Sequence, residues 1–196
     1  MNPFRRLFDR LELRRAHKIA RKLRRYIRPG ERVLDVGCGP LVVADELQKL
    51  TGARVLGIET LDYRKRPLPM ALYSGARAPF RDASFDVVVI GFVLHHCDDG
   101  GLAVLREARR LTRGRILLLE DSFDTLFDRA AIRIVDKLLN YIENPAIPVP
   151  YRFRPSWDWK SLFGELGLTM TKMERLRTTP ILKTRQILFV LESKGR

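Results

Sequence analysis

The chain has 196 residues, enough for one domain with a sizeable core, and its 45% hydrophobic, 31% charged composition is that of a folded protein rather than a disordered one. Its longest uncharged apolar run, Val87 to Leu94, is far shorter than the roughly 20 residues that cross a bilayer. The charged N-terminus has no apolar core of a secretion signal, and Cys38 and Cys97 lack C-x-x-C partners, so a disulfide or zinc site is not expected and a cytoplasmic location is.

The formal charge of +14 is concentrated at the start of the chain, where residues 1 to 28 carry eleven Lys or Arg against Asp9 and Glu12. In the same stretch Phe4, Leu7, Phe8, Leu11, Ile19, Leu23, Tyr26 and Ile27 recur at spacings of 3 and 4, which predicts a basic amphipathic helical extension over 1–29, stopped by Pro29-Gly30. Such a helix has three uses. It can lie on an anionic membrane, on the inner face of the cell envelope, with its apolar side inserted. It can track an RNA backbone. Or it can cover the rest of the protein as a lid and leave a solvated basic face.

From residue 30 to 196 a single domain is expected. Strands are predicted near 32–37, 54–59, 70–74, 86–91 and 115–120, and helices near 41–50, 99–111 and 123–142. Alternation of this kind means a parallel sheet with helices on both faces. Residues 143–156 contain Pro145, Pro148, Pro150 and Pro155 with Tyr151 and Phe153, a loop expected on the substrate side. Ser156 is the expected N-cap of a helix over 157–165. Two last strands, near 169–177 and 185–193, are expected to pair antiparallel.

Arg32-Val33-Leu34-Asp35-Val36-Gly37-Cys38-Gly39 reads as a buried strand breaking into a glycine turn, and Glu59 ends the next strand about 20 residues on. Glycines admit a ligand close to the backbone, and an acid at that distance can accept hydrogen bonds from ribose hydroxyls. A dinucleotide fingerprint requires a third glycine where this chain has Val42. Further landmarks follow in order: Ala78-Pro79-Phe80-Arg81-Asp82-Ala83-Ser84-Phe85-Asp86-Val87-Val88, then Val93-Leu94-His95-His96, then Leu105-Arg106-Glu107-Ala108-Arg109-Arg110-Leu111.

Together these landmarks, over about residues 30 to 122, resemble the class I S-adenosylmethionine-dependent methyltransferases, in particular the "type 11" domains that act on small molecules and lipids. The resemblance implies an α/β fold: a Rossmann-like seven-stranded sheet, mostly parallel with the last strand antiparallel. It implies S-adenosylmethionine as cofactor and S-adenosylhomocysteine as product, held by Asp35, Gly37, Cys38, Gly39, Glu59, Thr60, Ala76, Arg77, Gly91 and Phe92. It places His95, His96 and Asp121 on the active-site edge as candidates for a general base, needed only if the acceptor is protonated. Adjacent histidines point in different directions, so one of the two is expected to face the site, and contiguous His95, His96 and Cys97 are not expected to converge on a metal. Tyr141, Tyr151 and Trp157 are the candidate acceptor wall, suited to a flat or apolar molecule.

Two positions depart from the family pattern. Leu41 stands where the family has a glycine, and its side chain is expected near the methionine tail. Ser74 is nearest the position of an acid that bonds adenine. The expected activity is methyl transfer to a small-molecule or lipid-like acceptor, with peripheral contact to an anionic membrane. An RNA methyltransferase and a non-catalytic cofactor-binding relic remain as alternatives. Against the first, the fourth strand runs into Gly91-Phe92-Val93-Leu94-His95-His96 and not into the Asn/Asp-Pro-Pro-Tyr/Phe motif that stacks a flipped base.

Overall fold

The computed structural model describes residues 3–75, 77–144, 150, 152–176 and 185–193. Eight strands form one sheet: β1 (Arg32–Val36), β2 (Arg54–Glu59), β3 (Met70–Leu72), β4 (Phe85–Gly91), β5 (Thr112–Phe123), β6 (Arg154–Pro155), β7 (Leu168–Leu176) and β8 (Arg185–Ser193). The strand order is β3-β2-β1-β4-β5-β8-β7, with the two-residue β6 alongside the end of β5. β1 through β5 are parallel, whereas β8 is antiparallel to both β5 and β7. The expected Rossmann-like sheet with an antiparallel C-terminal pair is therefore the observed one.

The apolar runs of the central strands are explained by burial on both faces. On one face Leu34, Val36, Val88, Ile90, Ile116 and Leu118 pack with Leu105 and Leu111 of α3 (Leu102–Leu111) and Leu162 and Phe163 of α5 (Trp159–Glu165). On the other face Val33, Val55, Val87, Val89, Leu117 and Leu119 pack with Leu47 of α2 (Val42–Thr51) and with Ile19, Ala20 and Leu23 of α1 (Pro3–Leu23). Alternate residues of each strand serve opposite layers, as the period of two requires.

The basic helix α1 is only partly a covering element. Its C-terminal half buries Ala16, Ile19, Ala20 and Leu23, while Leu7 and Leu11 in its first half are exposed. Lys65 ties that first half down, 2.9 Å from Glu12 and 3.8 Å from Asp9.

Three boundaries differ from the sequence expectation, each for a visible reason. α3 starts at Leu102, because Gly100 and Gly101 both adopt positive φ and Asp99 accepts the N–H of Gly101 (2.9 Å) and of Ala103 (2.7 Å). β5 runs on to Phe123, paired with β8 from Arg115 to Ser122, so α4 (Leu126–Glu143) begins only after Thr125. There Thr125 and Asp128 form a capping box, each side chain accepting the other's backbone N–H. Ser156 is not a helix cap: residues 154–155 join the sheet as β6, Ser156 hydrogen-bonds Ser122, and Asp158 occupies the N-cap position of α5.

Candidate active site

In an open parallel sheet the ligand crevice lies at the carboxyl ends of the strands where their order reverses, here between β1 and β4. A cavity of about 320 Å³ occupies that place. Its floor is the turn after β1 with Asp35, Gly37, Cys38 and Gly39; Glu59 and Thr60 follow β2, and Gly91, Phe92 and Val93 follow β4. α1 closes it with Glu12, Arg15, Ala16 and Ile19, and α4 with Ile132, Val135, Asp136 and Asn140.

The turn after β1 is held by close approach. Gly37 has φ +65°, and a Cβ there would lie 2.4 Å from a methyl of Val93, so only glycine fits. Leu41 also takes a left-handed conformation, φ +64°, a backbone that glycine adopts far more readily. Its side chain does not enter the cavity. It turns under the loop, fully buried, against Cys38 and the backbone of Gly57, where a Cβ would meet it at 2.6 Å. The expectation of a side chain near the methionine tail is thereby corrected: burial in the core draws Leu41 away from the ligand space.

Two acids stand at the strand ends. Glu59 accepts the N–H of Gly39 (3.0 Å) with one oxygen and the N–H of Thr60 (2.7 Å) with the other. Asp35 is buried, and burial together with the charge of Glu59 pushes its carboxyl up to about 7. Neither forms an ion pair among the described residues, in a chain of charge +14. Asp121, at the end of β5, is pushed up to about 6, chiefly by burial, with Arg15 acting in the opposite sense. Arg15 itself lies over the ring of Phe92, 4.7 Å from its centroid. Burial raises both thiols, Cys97 to about 11, so neither cysteine is a thiolate nucleophile at neutral pH.

The two histidines share one 3-10 turn, Leu94–His96, and, against the expectation that they diverge, their ring centroids are 4.2 Å apart and His95, His96 and Asp136 bring ligand atoms within 4.8 Å of one another. His96 borders the cavity. His95 does not border it and is buried, stacked on Phe153 with centroids 4.5 Å apart. Its Nδ1 lies 2.7 Å from Glu120 and its Nε2 lies 3.4 Å from Asp136. Burial alone would lower its pKa, but the two carboxylates outweigh that and hold it up at about 10. His95 thus lies between two acids that favour its protonated form. Glu120 also accepts the N–H groups of Val93 (2.9 Å) and Leu94 (2.7 Å), fixing the turn that aims His96. The His95 contact lowers the pKa of Asp136 against the effect of burial, so Asp136 presents a carboxylate to the cavity.

Of the residues expected to hold a cofactor, Asp35, Gly37, Cys38, Gly39, Glu59, Thr60, Gly91 and Phe92 border the one cavity; Arg77 is exposed and apart from it, and Ala76 lies outside the described residues. His96 and Asp121 border it too, and His95 does not. Tyr141 and Trp157 project outward, away from the cavity, because α4 turns its Ile132–Asp136–Asn140 face inward and Trp157 precedes α5 on the surface; Tyr151 lies outside the described residues. After β3, Tyr73 and Gly75 reach the cavity and Ser74 is exposed. Sequence reasoning missed Arg15, Asp136, Asn140 and Gln186. The signal for two of them was present: Asp136 and Asn140 sit four apart, on the same helical face as Ile132, one polar pair on an otherwise apolar side.

Residues 34–119, from β1 to β5, match the family model of the methyltransferase domain. This segment, less than half of the chain, is similar to methyltransferase domains. The demethylmenaquinone methyltransferase of Corynebacterium efficiens is 32% identical over 131 residues, 60% of this chain and 56% of that protein. A sterol 24-C-methyltransferase of Gibberella zeae is 35% identical over 94 residues, 41% of this chain and 24% of that one. The chain spans about half the length of the curated relatives it matches. Among solved structures, the fold of the methyltransferase domain is shared with the complex of the Haloferax volcanii methyltransferase activator Trm112 and its putative methyltransferase partner. There the TM-score is 0.72 at 16% identity, covering 95% of this chain and 93% of that one. It is also shared with the 1,6-didemethyltoxoflavin-N1-methyltransferase of Burkholderia thailandensis, solved with S-adenosylhomocysteine, at TM-score 0.69 and 16% identity, covering 92% and 79%.

Proposed function

We propose that this protein transfers the methyl group of S-adenosylmethionine to a small, apolar, lipid-like acceptor. The observation that carries the reading is the pair Asp35 and Glu59: two carboxylates without an ion-pair partner among the described residues, facing one concavity in a strongly basic chain. A pyrophosphate would be repelled there. A ligand with a sulfonium, an ammonium and a ribose diol matches both acids, and the similarly folded Burkholderia thailandensis methyltransferase, solved with S-adenosylhomocysteine, supports the same class of cofactor.

In this reading Gly37 and Gly39 bring backbone against the amino-acid tail, and Glu59 receives the ribose hydroxyls. S-adenosylmethionine, when bound, supplies an already activated methyl group, so the residues around it mainly align the acceptor and exclude water. α1 and α4 perform the exclusion. His96 and Asp136 stand on the acceptor side, with a ring nitrogen and a carboxylate oxygen within 4.8 Å of one another, as a pair able to accept a proton from a hydroxyl. Asp121 is a second carboxylate on that side. The apolar lining from Ile19, Phe92, Val93, Ile132 and Val135 favours an apolar acceptor, consistent with the quinone and sterol named for the relatives.

The test is incubation with methyl-labelled S-adenosylmethionine and a cell extract, followed by separation of lipid, small-molecule, RNA and protein fractions. Label in the lipid or small-molecule fraction is expected. Label confined to RNA refutes the acceptor class, and absence of both label and cofactor binding refutes the methyltransferase reading.

A further inference from the structure

α4 is amphipathic in an unusual sense, because both of its long faces are occupied by chemistry other than the main core. Its inner face borders the cavity through Ile132, Val135, Asp136 and Asn140, and it packs on a small separate cluster of Phe123, Ile132 and Phe153. Its outer face carries Phe127, Ile134, Leu138 and Tyr141, spaced 7, 4 and 3 apart and therefore aligned in one stripe. They are 82%, 70%, 58% and 71% exposed. Single exposed apolar residues are ordinary, but an aligned stripe of large ones marks an interaction surface.

The charges around the stripe say what covers it. Arg129, Arg133 and Lys137 are exposed on the same helix. Of the acids of α4, Asp128 is engaged in the N-terminal cap and Asp136 beside His95, and Glu143 lies at the C-terminal end of the helix. α1, the other helix over the cavity, adds exposed Leu7 and Leu11 amid eight Lys or Arg against Asp9 and Glu12. A second copy of the chain would bring like charges together along such a face. An anionic lipid surface supplies apolar depth for the stripe and negative headgroups for the cations.

We propose that the outer face of α4, with the first half of α1, docks on an anionic lipid bilayer. Phe127, Ile134, Leu138 and Tyr141 insert at the headgroup boundary. The cavity between the two helices then lies against the membrane, so that an apolar acceptor reaches it without crossing water. The docking rests on the methyltransferase reading for its purpose, yet lipid binding is measured without any turnover.

The full chain is sedimented with vesicles of equal parts phosphatidylglycerol and phosphatidylcholine, and with vesicles of phosphatidylcholine alone. Phe127→Ser/Ile134→Ser, two exposed positions outside the cavity, is compared with wild type, and S-adenosylmethionine binding is followed by calorimetry in both. Wild type is expected to bind the anionic vesicles, less so at high salt, and the double variant is expected to lose about tenfold in partition with cofactor affinity unchanged. Equal vesicle binding by the two proteins overturns the proposal. So does failure of wild type to bind vesicles, including the case in which sedimentation velocity shows a dimer that the double variant abolishes, which would assign the face to a second copy. Vesicle binding without cofactor binding would leave the docking in place and remove the methyltransferase reading.

Discussion

Leu41→Gly separates a ligand-blocking role for this side chain from a structural one. Glycine relieves a left-handed conformation at φ +64°, worth about 1 kcal/mol. It also removes a fully buried leucine packed beneath the turn, and Leu→Ala truncations in cores cost about 2–5 kcal/mol. The second effect wins, for a net loss of roughly 1–4 kcal/mol. Urea unfolding should show a midpoint lowered by on the order of 1 M. Calorimetry on the folded variant should give an S-adenosylmethionine affinity within about threefold of wild type, a free-energy change below ~1 kcal/mol. A variant of unchanged stability that binds the cofactor tenfold tighter would refute the reasoning, because it would mean that the leucine occupies ligand space.

Three further outcomes are expected. Glu59→Ala should weaken S-adenosylmethionine binding by at least ~1 kcal/mol, since the ribose hydroxyls lose their charged acceptor; unaltered calorimetry would remove Glu59 from the site. Asp35→Asn should raise stability relative to wild type as pH increases. The carboxyl of Asp35 is held up at about 7, so its protonated form stabilises the fold at low pH and that contribution is lost as pH rises through 7. The gap should reach roughly 2–4 kcal/mol by pH 8 in urea titrations, and a flat difference from pH 4 to 8 would contradict it. His95→Gln should cost roughly 3–5 kcal/mol at pH 6 by stranding Glu120 and Asp136. Because His95 titrates near 10 in the fold, that deficit should shrink as pH climbs from about 6.5 towards 10, and a deficit constant across that range would show that its charge is not what matters.

The sheet was legible because its signals are local. The run Val87-Val88-Val89-Ile90 has no polar break, as a strand buried on both faces requires, and the turns after it carry glycine. The strand-end site was legible for the same reason: Asp35, Gly37, Gly39 and Glu59 are spaced by the geometry of a strand, a turn and a crossover. What closes the cavity was not. Arg15, Asp136 and Gln186 come from a helix before the sheet, a helix between β5 and β6, and the last strand, and only packing brings them together. Tyr141 and Trp157 mislead because aromatic content says nothing about which side of a helix or turn faces inward. His95 and His96 are adjacent in sequence and in space, yet only His96 borders the cavity, because Glu120, 25 residues away in sequence, holds His95 in the core.

β8 is the last strand of the described sequence and yet lies inside the sheet, between β5 and β7. During synthesis, β1 to β5 leave the ribosome well before their final neighbour exists. Until residues 185–193 emerge, β5 shows an open edge whose Leu117, Leu118 and Leu119 await Val190, Phe189 and Leu188. A nascent or truncated chain therefore offers a ready template for pairing with other chains. Gln186, which borders the cavity, arrives with the same strand, so maturation of the pocket and protection against aggregation are completed in one step.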